Sequence, residues 1–374
     1  MPLDTETLII GASASGLAAA AAIKTVGRSF EVLEATDVVG TAWRHHYDRL
    51  HLHTPKSASN LPGLAMPSEW PRYPSRDQVV DYLERYRAHF GIEPHFNENV
   101  TSIERTADGW AATTATRTWT ARNVVVATGA TRLPVRPVWP GMEAYTGQLL
   151  HSSEYVNGGP WRGRSALVVG FGNSACEQAI DLVEHGVATH MSVRGAVNVV
   201  PRDMFGVVPI LQIGAVMRYL PPKVADALAA PLVRFTVGDI TKVGLRKLPY
   251  GPNAQIAYDR HIPLLDIGTM DHIKAGRITV HGAVARFDES GVVFEDGSRL
   301  DVDAVILGTG YRPALEDFLP EWQAVCDGDG RPHVSGGPTS LPGLFFCGQF
   351  VSPSGMLREA GIESRRIATA IASH

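Results

Sequence analysis

One pattern occurs twice in this chain and restricts what it can fold into. Leu8-Ile9-Ile10 runs into Gly-Ala-Ser-Ala-Ser-Gly at positions 11–16 and then into the Ala-rich stretch Leu17 to Ile23. Ala166-Leu167-Val168-Val169 runs into Gly-Phe-Gly-Asn-Ser-Ala at 170–175 and then into Cys176 to Val183. Each copy reads as a buried strand, a tight turn and a helix, which is how a βαβ unit opens. The copies stand 159 residues apart (170 minus 11), a spacing that suits two such units on one polypeptide.

Other short apolar runs supply the remaining strands: Phe30 to Leu33, Asn123 to Ala127, Thr189 to Val193, Ala304 to Leu307 and Leu344 to Cys347. Most end beside Gly, Thr or charged residues, as buried parallel strands do. Helices are expected over Ser75 to Phe90, with Ser75 as N-cap and Gly91 beyond its end, and over Arg358 to Ala372. Residues 203–269 carry seven prolines, at 209, 221, 222, 231, 249, 252 and 263. Regular strands are not expected there. The stretch reads as a helical and irregular excursion, either a lid over a site or a surface insertion.

The chain's 374 residues suffice for two ordinary domains. The fold class expected is α/β, with two doubly wound Rossmann-like dinucleotide-binding domains, one inserted in the other. Residues 1–160 and 301–374 form the first and 161–300 the second.

Composition narrows the function classes. The net charge is −4, with Lys and Arg scattered, so no basic surface exists to neutralise nucleic-acid phosphates. Thr7 to Ile23 lacks charge, but Gly11, Ser13, Ser15 and Gly16 interrupt it, and it is shorter than the ~20 apolar residues a membrane span needs. Asp4 and Glu6 stand where a signal peptide would carry positive charge, so a cytoplasmic location is expected. The three cysteines, Cys176, Cys326 and Cys347, are far apart. They argue against a disulfide framework or a cysteine zinc site. They also exclude the Cys-x-x-Cys pair with which a thioredoxin-reductase-like flavoprotein passes electrons to a disulfide.

The first Gly-rich turn carries Ser13 where G-x-G-x-x-G has its second glycine. That glycine normally lets backbone approach a pyrophosphate, and serine is a small replacement that can donate a hydrogen bond. Glu34 follows the strand Phe30 to Leu33, 18 residues after Gly16, where a carboxylate accepts from the adenosine ribose. The bland reading is a plain βα turn with a surface Glu. An esterase elbow is excluded, because G-x-S-x-G would need glycine at Ser15. The second turn keeps Gly170 and Gly172 and ends in Ala175. Arg194 stands 19 residues further on, where an NAD site would place an acid. A guanidinium there suits a 2′-phosphate, so NADPH is expected over NADH, the alternative being a solvent-exposed Arg at a strand end. The cluster His45, His46, His51 and His53 invites a metal reading, yet no fitting third ligand is fixed nearby. No metal is expected.

Between the two units, Tyr145, Gly147, His151 and Tyr155 fall on the pattern F-x-G-x-x-x-H-x-x-x-(F/W/Y), and here the sequence closely resembles the class B flavin monooxygenases. Tyr155-Val156 departs from the Trp-Pro or Trp-Asp of the Baeyer–Villiger enzymes and favours the flavin-containing monooxygenase branch. Gly40-Thr41-Ala42-Trp43 resembles the family's G-G-x-W, which passes the flavin. Thr309-Gly310-Tyr311 resembles its A-T-G-Y, with Gly308 replacing Ala. Within the family, Leu50-His51-Leu52-His53 with Pro55-Lys56, Tyr73-Pro74, Val200-Pro201-Arg202 and Pro263 to Gly268 resemble the YUCCA-type indole-3-pyruvate monooxygenases.

The resemblance implies two cofactors. FAD would contact Gly11, Ser13, Ser15, Gly16, Glu34, Gly40, Thr41, Trp43, Val100, Thr128, Gly129 and Gly348. NADPH would contact Gly170, Gly172, Asn173, Ser174 and Arg194. Gly348 is expected to face the ribityl-phosphate, with Gln349 where disulfide reductases have Asp. NADPH would reduce FAD, and reduced flavin would meet O2 to form a hydroperoxide that passes oxygen to a small organic substrate. An aromatic 2-oxo acid such as indole-3-pyruvate would lose carbon dioxide. Oxygenation of a soft amine or sulfide, and a non-oxygenating NADPH-dependent reductase or redox sensor, remain as alternatives. His53 stands three residues before Lys56, where many relatives have a catalytic Asn. His53 and Asn60 are the catalytic candidates, and simple packing is the alternative for each. The expected partners are a small substrate and O2, with no nucleic acid and no membrane span, and a homodimer is left open.

Overall fold

The computed structural model describes residues 3–373 apart from 207, 211, 212, 214–216, 218, 219, 351, 353 and 354. In chain order the elements used below are β1 (Thr5–Ile10), α1 (Ala14–Thr25), β2 (Phe30–Leu33), α2 (Arg76–Phe90), β3 (Ser102–Arg105), β4 (Trp110–Thr113), β5 (Thr118–Val126), β6 (Gln148–His151), β7 (Ser165–Val169), α3 (Asn173–Glu184), β8 (Ala188–Ser192), α4 (Pro222–Val237), β9 (Ile278–His281), β10 (Ala304–Leu307), β11 (Leu344–Phe346) and α5 (Met356–Ala372).

The chain divides into two compact units. The first holds residues 1–44, 54–133 and 311–374, and the second 45–53 and 134–310. Both boundaries differ from those expected at 160 and 300. The reason is β6, which pairs in parallel with β10, Gln148 opposite Ala304 through His151 opposite Leu307. A strand goes where its backbone donors and acceptors find partners, so β6 and β10 both belong to the second unit's sheet.

In the first unit β1 lies between β2 and β5, parallel to both. Nine-residue β5 serves two further neighbours, antiparallel β4 along Thr118–Ala121 and parallel β11 along Val124–Val126. β3 closes the edge antiparallel to β4. Leu8, Ile10, Val124, Val126, Leu344 and Phe346 share one apolar cluster with Trp110 and Trp119, as strands with a period of two require. α1 packs along α5. α2 begins and ends where its sequence signals: Ser75 and Gln78 form a reciprocal capping box, and Gly91 stops the helix in the left-handed region at φ 55°.

The second unit is built on a five-stranded, all-parallel sheet in the order β9-β8-β7-β10-β6. Alternate residues of β7 and β10 point to opposite cores. Ala166, Val168, Ala304 and Ile306 meet Ala175, Cys176 and Ala179 of α3. Leu167, Val169, Val305 and Leu307 meet Val284, Phe287, Val292 and Phe294. That second face is covered by a three-stranded antiparallel sheet, Val284–Phe287, Gly291–Phe294 and Arg299–Asp301, where a doubly wound fold would place helices.

The described part of 203–269 contains α4, a 3-10 turn at Ile240–Val243 and a helix at Pro252–Asp259, and its strands are only two or three residues long. α4 opens on Pro222 in its first turn, where the missing N–H costs nothing. It also continues through Pro231, which removes one intrahelical hydrogen bond. Among the described residues no helix is long and apolar enough to cross a membrane.

Candidate functional site

Each Gly-rich turn builds a cradle within its own unit. In the first, Gly11 adopts φ +103°, and a Cβ there would lie 2.9 Å from the Ala127 carbonyl oxygen. A Cβ on Gly16 would lie 1.8 Å from the Gly11 oxygen. Backbone passes too close at both points for any side chain. Ser13 is the N-cap of α1 in an extended conformation, and its side chain caps nothing. The first-turn N–H groups of a twelve-residue helix are therefore open to an anion.

Glu34 is buried, and its carboxylate is fixed against this turn: Oε2 accepts from the Ala12 N–H at 2.8 Å and Oε1 from the Thr36 N–H at 3.1 Å. A cleft of about 190 Å³ opens beside it, lined among others by Gly11, Ser13, Glu34, Thr41, Val100 and Thr128. Six residues that sequence assigns to one cofactor thus line one cavity. The Thr128 hydroxyl is buried and has no hydrogen-bond partner among the described residues. An orphaned hydroxyl in a cleft beside an uncapped helix and a fixed carboxylate fits a dinucleotide with ribose hydroxyls and a pyrophosphate.

The other residues expected around FAD fall nearby in the same unit. The Gly40 N–H donates to the Ala12 carbonyl at 3.2 Å, tying the turn Thr41–Arg44, which carries half-buried Trp43, to the cradle. Gly129 follows Thr128 at φ +84°. Gly348, at φ +80°, abuts the Ser15 side chain, whose Oγ would lie 2.0 Å from a Cβ there.

Three participants escaped sequence reasoning. Arg132 and Phe318 line the cleft, the guanidinium donating to Asp317 at 2.9 Å and sitting over the Phe318 ring. Buried Glu363 on α5 accepts from the Gly348 N–H at 2.5 Å and from the Ser335 hydroxyl at 2.9 Å. Burial pushes the Glu363 carboxyl up to about 7. None of these belongs to a local motif, so no signal pointed to them.

In the second unit, Gly170 takes φ +130°, and a Cβ there would sit 2.2 Å from the Gly308 carbonyl oxygen, so only glycine fits. Gly172 is the N-cap of α3, extended, with open space around it and no side-chain cap. A second anion cradle results, with Ser174 in its first turn. The Asn173 side chain is otherwise employed, its Oδ1 accepting from the Leu265 N–H at 2.9 Å. That leaves its backbone N–H for the cradle.

The substitution of Gly308 for the family's Ala has a packing cause. A Cβ on Gly308 would lie 2.6 Å from the Cβ of Ala175, which occupies the third fingerprint position. Arg194 follows β8, exposed and without an ion pair among the described residues. The Arg246 guanidinium donates to the Arg194 carbonyl, so two arginines meet at this strand end. Arg246 lies 52 residues downstream and carried no signal.

The Tyr145–Tyr155 pattern fastens β6 to its sheet. The Tyr145 hydroxyl donates to the Val302 carbonyl at 2.8 Å, and a Cβ on Gly147 would collide with that hydroxyl. His151 is fully buried. Its Nδ1 accepts from the Ser153 N–H at 3.1 Å, so the proton resides on Nε2, which faces the Gly310 carbonyl at 3.1 Å. Desolvation pushes this imidazole below its ordinary value. The Tyr155 hydroxyl donates to Asp181 at 2.6 Å, and its ring stacks on Trp161. Desolvation, with that carboxylate beside it, pushes the phenol far above its ordinary value.

The two catalytic candidates lie in different units. Asn60 belongs to the first, where its Oδ1 accepts from the Met66 N–H at 2.9 Å and closes a turn. His53 belongs to the second, where its Nε2 is hydrogen-bonded to Glu177 of α3.

Comparison with known proteins follows the same lines. Residues 8–207 match the family described as pyridine nucleotide-disulphide oxidoreductase. The indole-3-pyruvate monooxygenase YUCCA1 of Oryza sativa subsp. japonica is 40% identical over 318 residues, covering 84% of this chain and 78% of the relative. Among solved structures, a flavin-containing monooxygenase from Stenotrophomonas maltophilia superposes with a TM-score of 0.75 at 22% identity, covering 99% of this chain and 98% of that one. The bacillithiol disulfide reductase of Bacillus cereus superposes with a TM-score of 0.72 at 20% identity, covering 99% of each chain. The fold is thus shared with a disulfide reductase, and it is the sequence that separates the two. On these grounds the chain belongs to the pyridine nucleotide-disulphide oxidoreductase family and, within it, to the YUCCA-type flavin monooxygenases, NADPH- and O2-dependent enzymes that carry FAD.

Proposed function

We propose that this monooxygenase acts on an aromatic 2-oxo acid of the indole-3-pyruvate type and releases carbon dioxide. The observation that carries this reading is the 40% identity to a rice indole-3-pyruvate monooxygenase over 84% of the chain. The overall reaction balances: 2-oxo acid, O2, NADPH and a proton give the one-carbon-shorter acid, CO2, water and NADP⁺. Bound FAD supplies the two-electron exchange with NADPH and the reaction with O2, which no side chain can provide.

The chain's residues bind and orient. The open N-terminus of α1 holds the FAD pyrophosphate and Glu34 accepts from its ribose hydroxyls. Gly11 and Gly16 let the backbone approach. Gly170, Gly172 and the N-terminus of α3 hold the NADPH pyrophosphate, and Arg194, with Arg246 beside it, takes the 2′-phosphate through paired N–H donors. His53 serves as the proton-handling group. The enzyme works in the cytoplasm on a small molecule and O2, and a homodimer is the assembly to look for by light scattering.

The deciding experiment supplies the FAD-loaded enzyme with NADPH, ¹⁸O2 and indole-3-pyruvate. Stoichiometric CO2 with one ¹⁸O atom in indole-3-acetate is expected. NADPH oxidation with an intact carbon skeleton would reject the decarboxylating reading and leave the amine or sulfide reading in its place.

A further inference from the structure

Helix α3 carries three buried polar side chains in close succession, Glu177, Gln178 and Asp181. Two of them are fasteners. Asp181 accepts from the Tyr155 hydroxyl and from the Gly158 N–H at 2.7 Å, and Gln178 donates from Nε2 to the Ser152 carbonyl at 3.0 Å. Both hold the 152–158 segment. Glu177 reaches the 45–53 segment, as Glu184 at the far end of the helix does through Arg49, and its Oε1 meets Nε2 of His53.

We infer that Glu177 is a positioning residue for the oxygenation. It holds the ring proton of His53 on Nε2 and leaves Nδ1 as a buried base that takes a proton from a donor presented by the bound reactants.

Three observations carry this. The Glu177 side chain is 3% exposed, and a carboxylate has acceptor atoms only, so the proton shared between the two groups belongs to the imidazole. A neutral imidazole with its proton on Nε2 has a lone pair on Nδ1. His53 Nδ1 is buried and has no hydrogen-bond partner among the described residues. Leaving such an atom unsatisfied costs stability, which a purely structural fastener would have no reason to bear. The place also suits the role. Glu177 stands five residues after the N-cap Gly172, about 7.5 Å along the helix axis from the NADPH cradle at 1.5 Å per residue.

When Nδ1 accepts a proton, the ring becomes an imidazolium with both nitrogens protonated. The charge it gains lies against the Glu177 carboxylate, as in any carboxylate–histidine pair that orients a base and steadies its charged form. The donor's bond to that hydrogen breaks and the donor keeps the electron pair; no other bond changes. The inference rests on the placement of His53 in the proton chemistry proposed above, and it adds Glu177, for which the sequence offered no cue.

The test begins without substrate. In ¹⁵N-labelled protein at pH 8, with His53 assigned by comparison with His53→Gln, imidazole ¹⁵N shifts should show Nε2 protonated and Nδ1 bare. Glu177→Leu should abolish that preference and give a mixture of tautomers. A wild-type ring protonated on Nδ1, or on both nitrogens, overturns the inference.

The second arm uses Glu177→Gln, which keeps the shape and loses the charge. The expected result is a fall in kcat of about tenfold or more, with the NADPH KM changed by less than about twofold. More hydrogen peroxide should be released per NADPH oxidised. Partial recovery is expected in Glu177→Asp. Unchanged kcat and peroxide yield in Glu177→Gln would reduce Glu177 to a fastener. Because the tautomer is read in the absence of substrate, the wrong choice of substrate class cannot be mistaken for failure here.

Discussion

The exchange of glycine and alanine between positions 308 and 175 yields a quantitative test of how the second cradle is packed. A methyl group on Gly308 would sit 2.6 Å from the Ala175 Cβ and 3.2 Å from the Val169 carbonyl oxygen. The first of these is closer than real Cβ atoms approach one another, and both neighbours belong to rigid elements. Overpacking of this kind costs about 1–3 kcal/mol. Ala175→Gly, in the first turn of α3, costs about 1 kcal/mol for a helix glycine.

If the two sites were independent, Gly308→Ala with Ala175→Gly would lose roughly 2–4 kcal/mol. Removal of the Ala175 methyl makes room for the new one, so the double variant should lose only about 1 kcal/mol, a coupling of about 1–3 kcal/mol. For a domain of this size about 2–4 °C in Tm corresponds to each kcal/mol. Calorimetry of the four FAD-loaded proteins should therefore find Gly308→Ala roughly 2–12 °C below the parent and the double variant only about 2–4 °C below it. Additive losses, or no loss in Gly308→Ala, would refute the packing account of both positions.

Replacing Arg194 by Ala should raise the KM for NADPH by about tenfold to a hundredfold, the worth of charge-assisted hydrogen bonds to a phosphate, and leave that for NADH nearly unchanged. Equal effects on the two cofactors would remove Arg194 from the 2′-phosphate site. The Glu363 carboxyl is raised by burial from an ordinary value of 4.5 to about 7 in the folded chain. The folded state therefore holds this proton more tightly than the unfolded one, and the associated stability is fully present below pH 4.5 and lost as pH rises through 7. Glu363→Gln should gain on the parent in Tm steadily between pH 5 and 7. A difference that stays flat or shrinks over that window would contradict the assignment.

Much of the site is legible in the sequence because its parts are local. A strand, a glycine turn and a helix start lie within a dozen residues of each other, and the residue expected to meet the ribose follows at the end of the next strand. Counting along the chain points to Glu34 and Arg194 as the residues expected at the two riboses, and Glu34 sits against Ala12 of its own turn. The helix α2 was bounded correctly by Ser75, Gln78 and Gly91 because capping is a matter of neighbouring residues. The all-buried strand β10 announced itself as an unbroken apolar run.

Other features were decided by tertiary structure alone. The partner of His53 lies 124 residues away, and Arg246 lies 52 residues from Arg194. Nothing in the spacing of a chain says which distant carboxylate or guanidinium packing will bring to a given atom. The same holds for β6, drawn into the second unit by hydrogen bonds to β10, and for Gly308, whose missing side chain is explained only once Ala175 is seen against it. Local propensity and periodicity settle which segments become strands, turns and helices. Which of them touch is set by the burial of apolar faces and the pairing of backbone groups across the whole chain, and that choice placed Glu177 against His53.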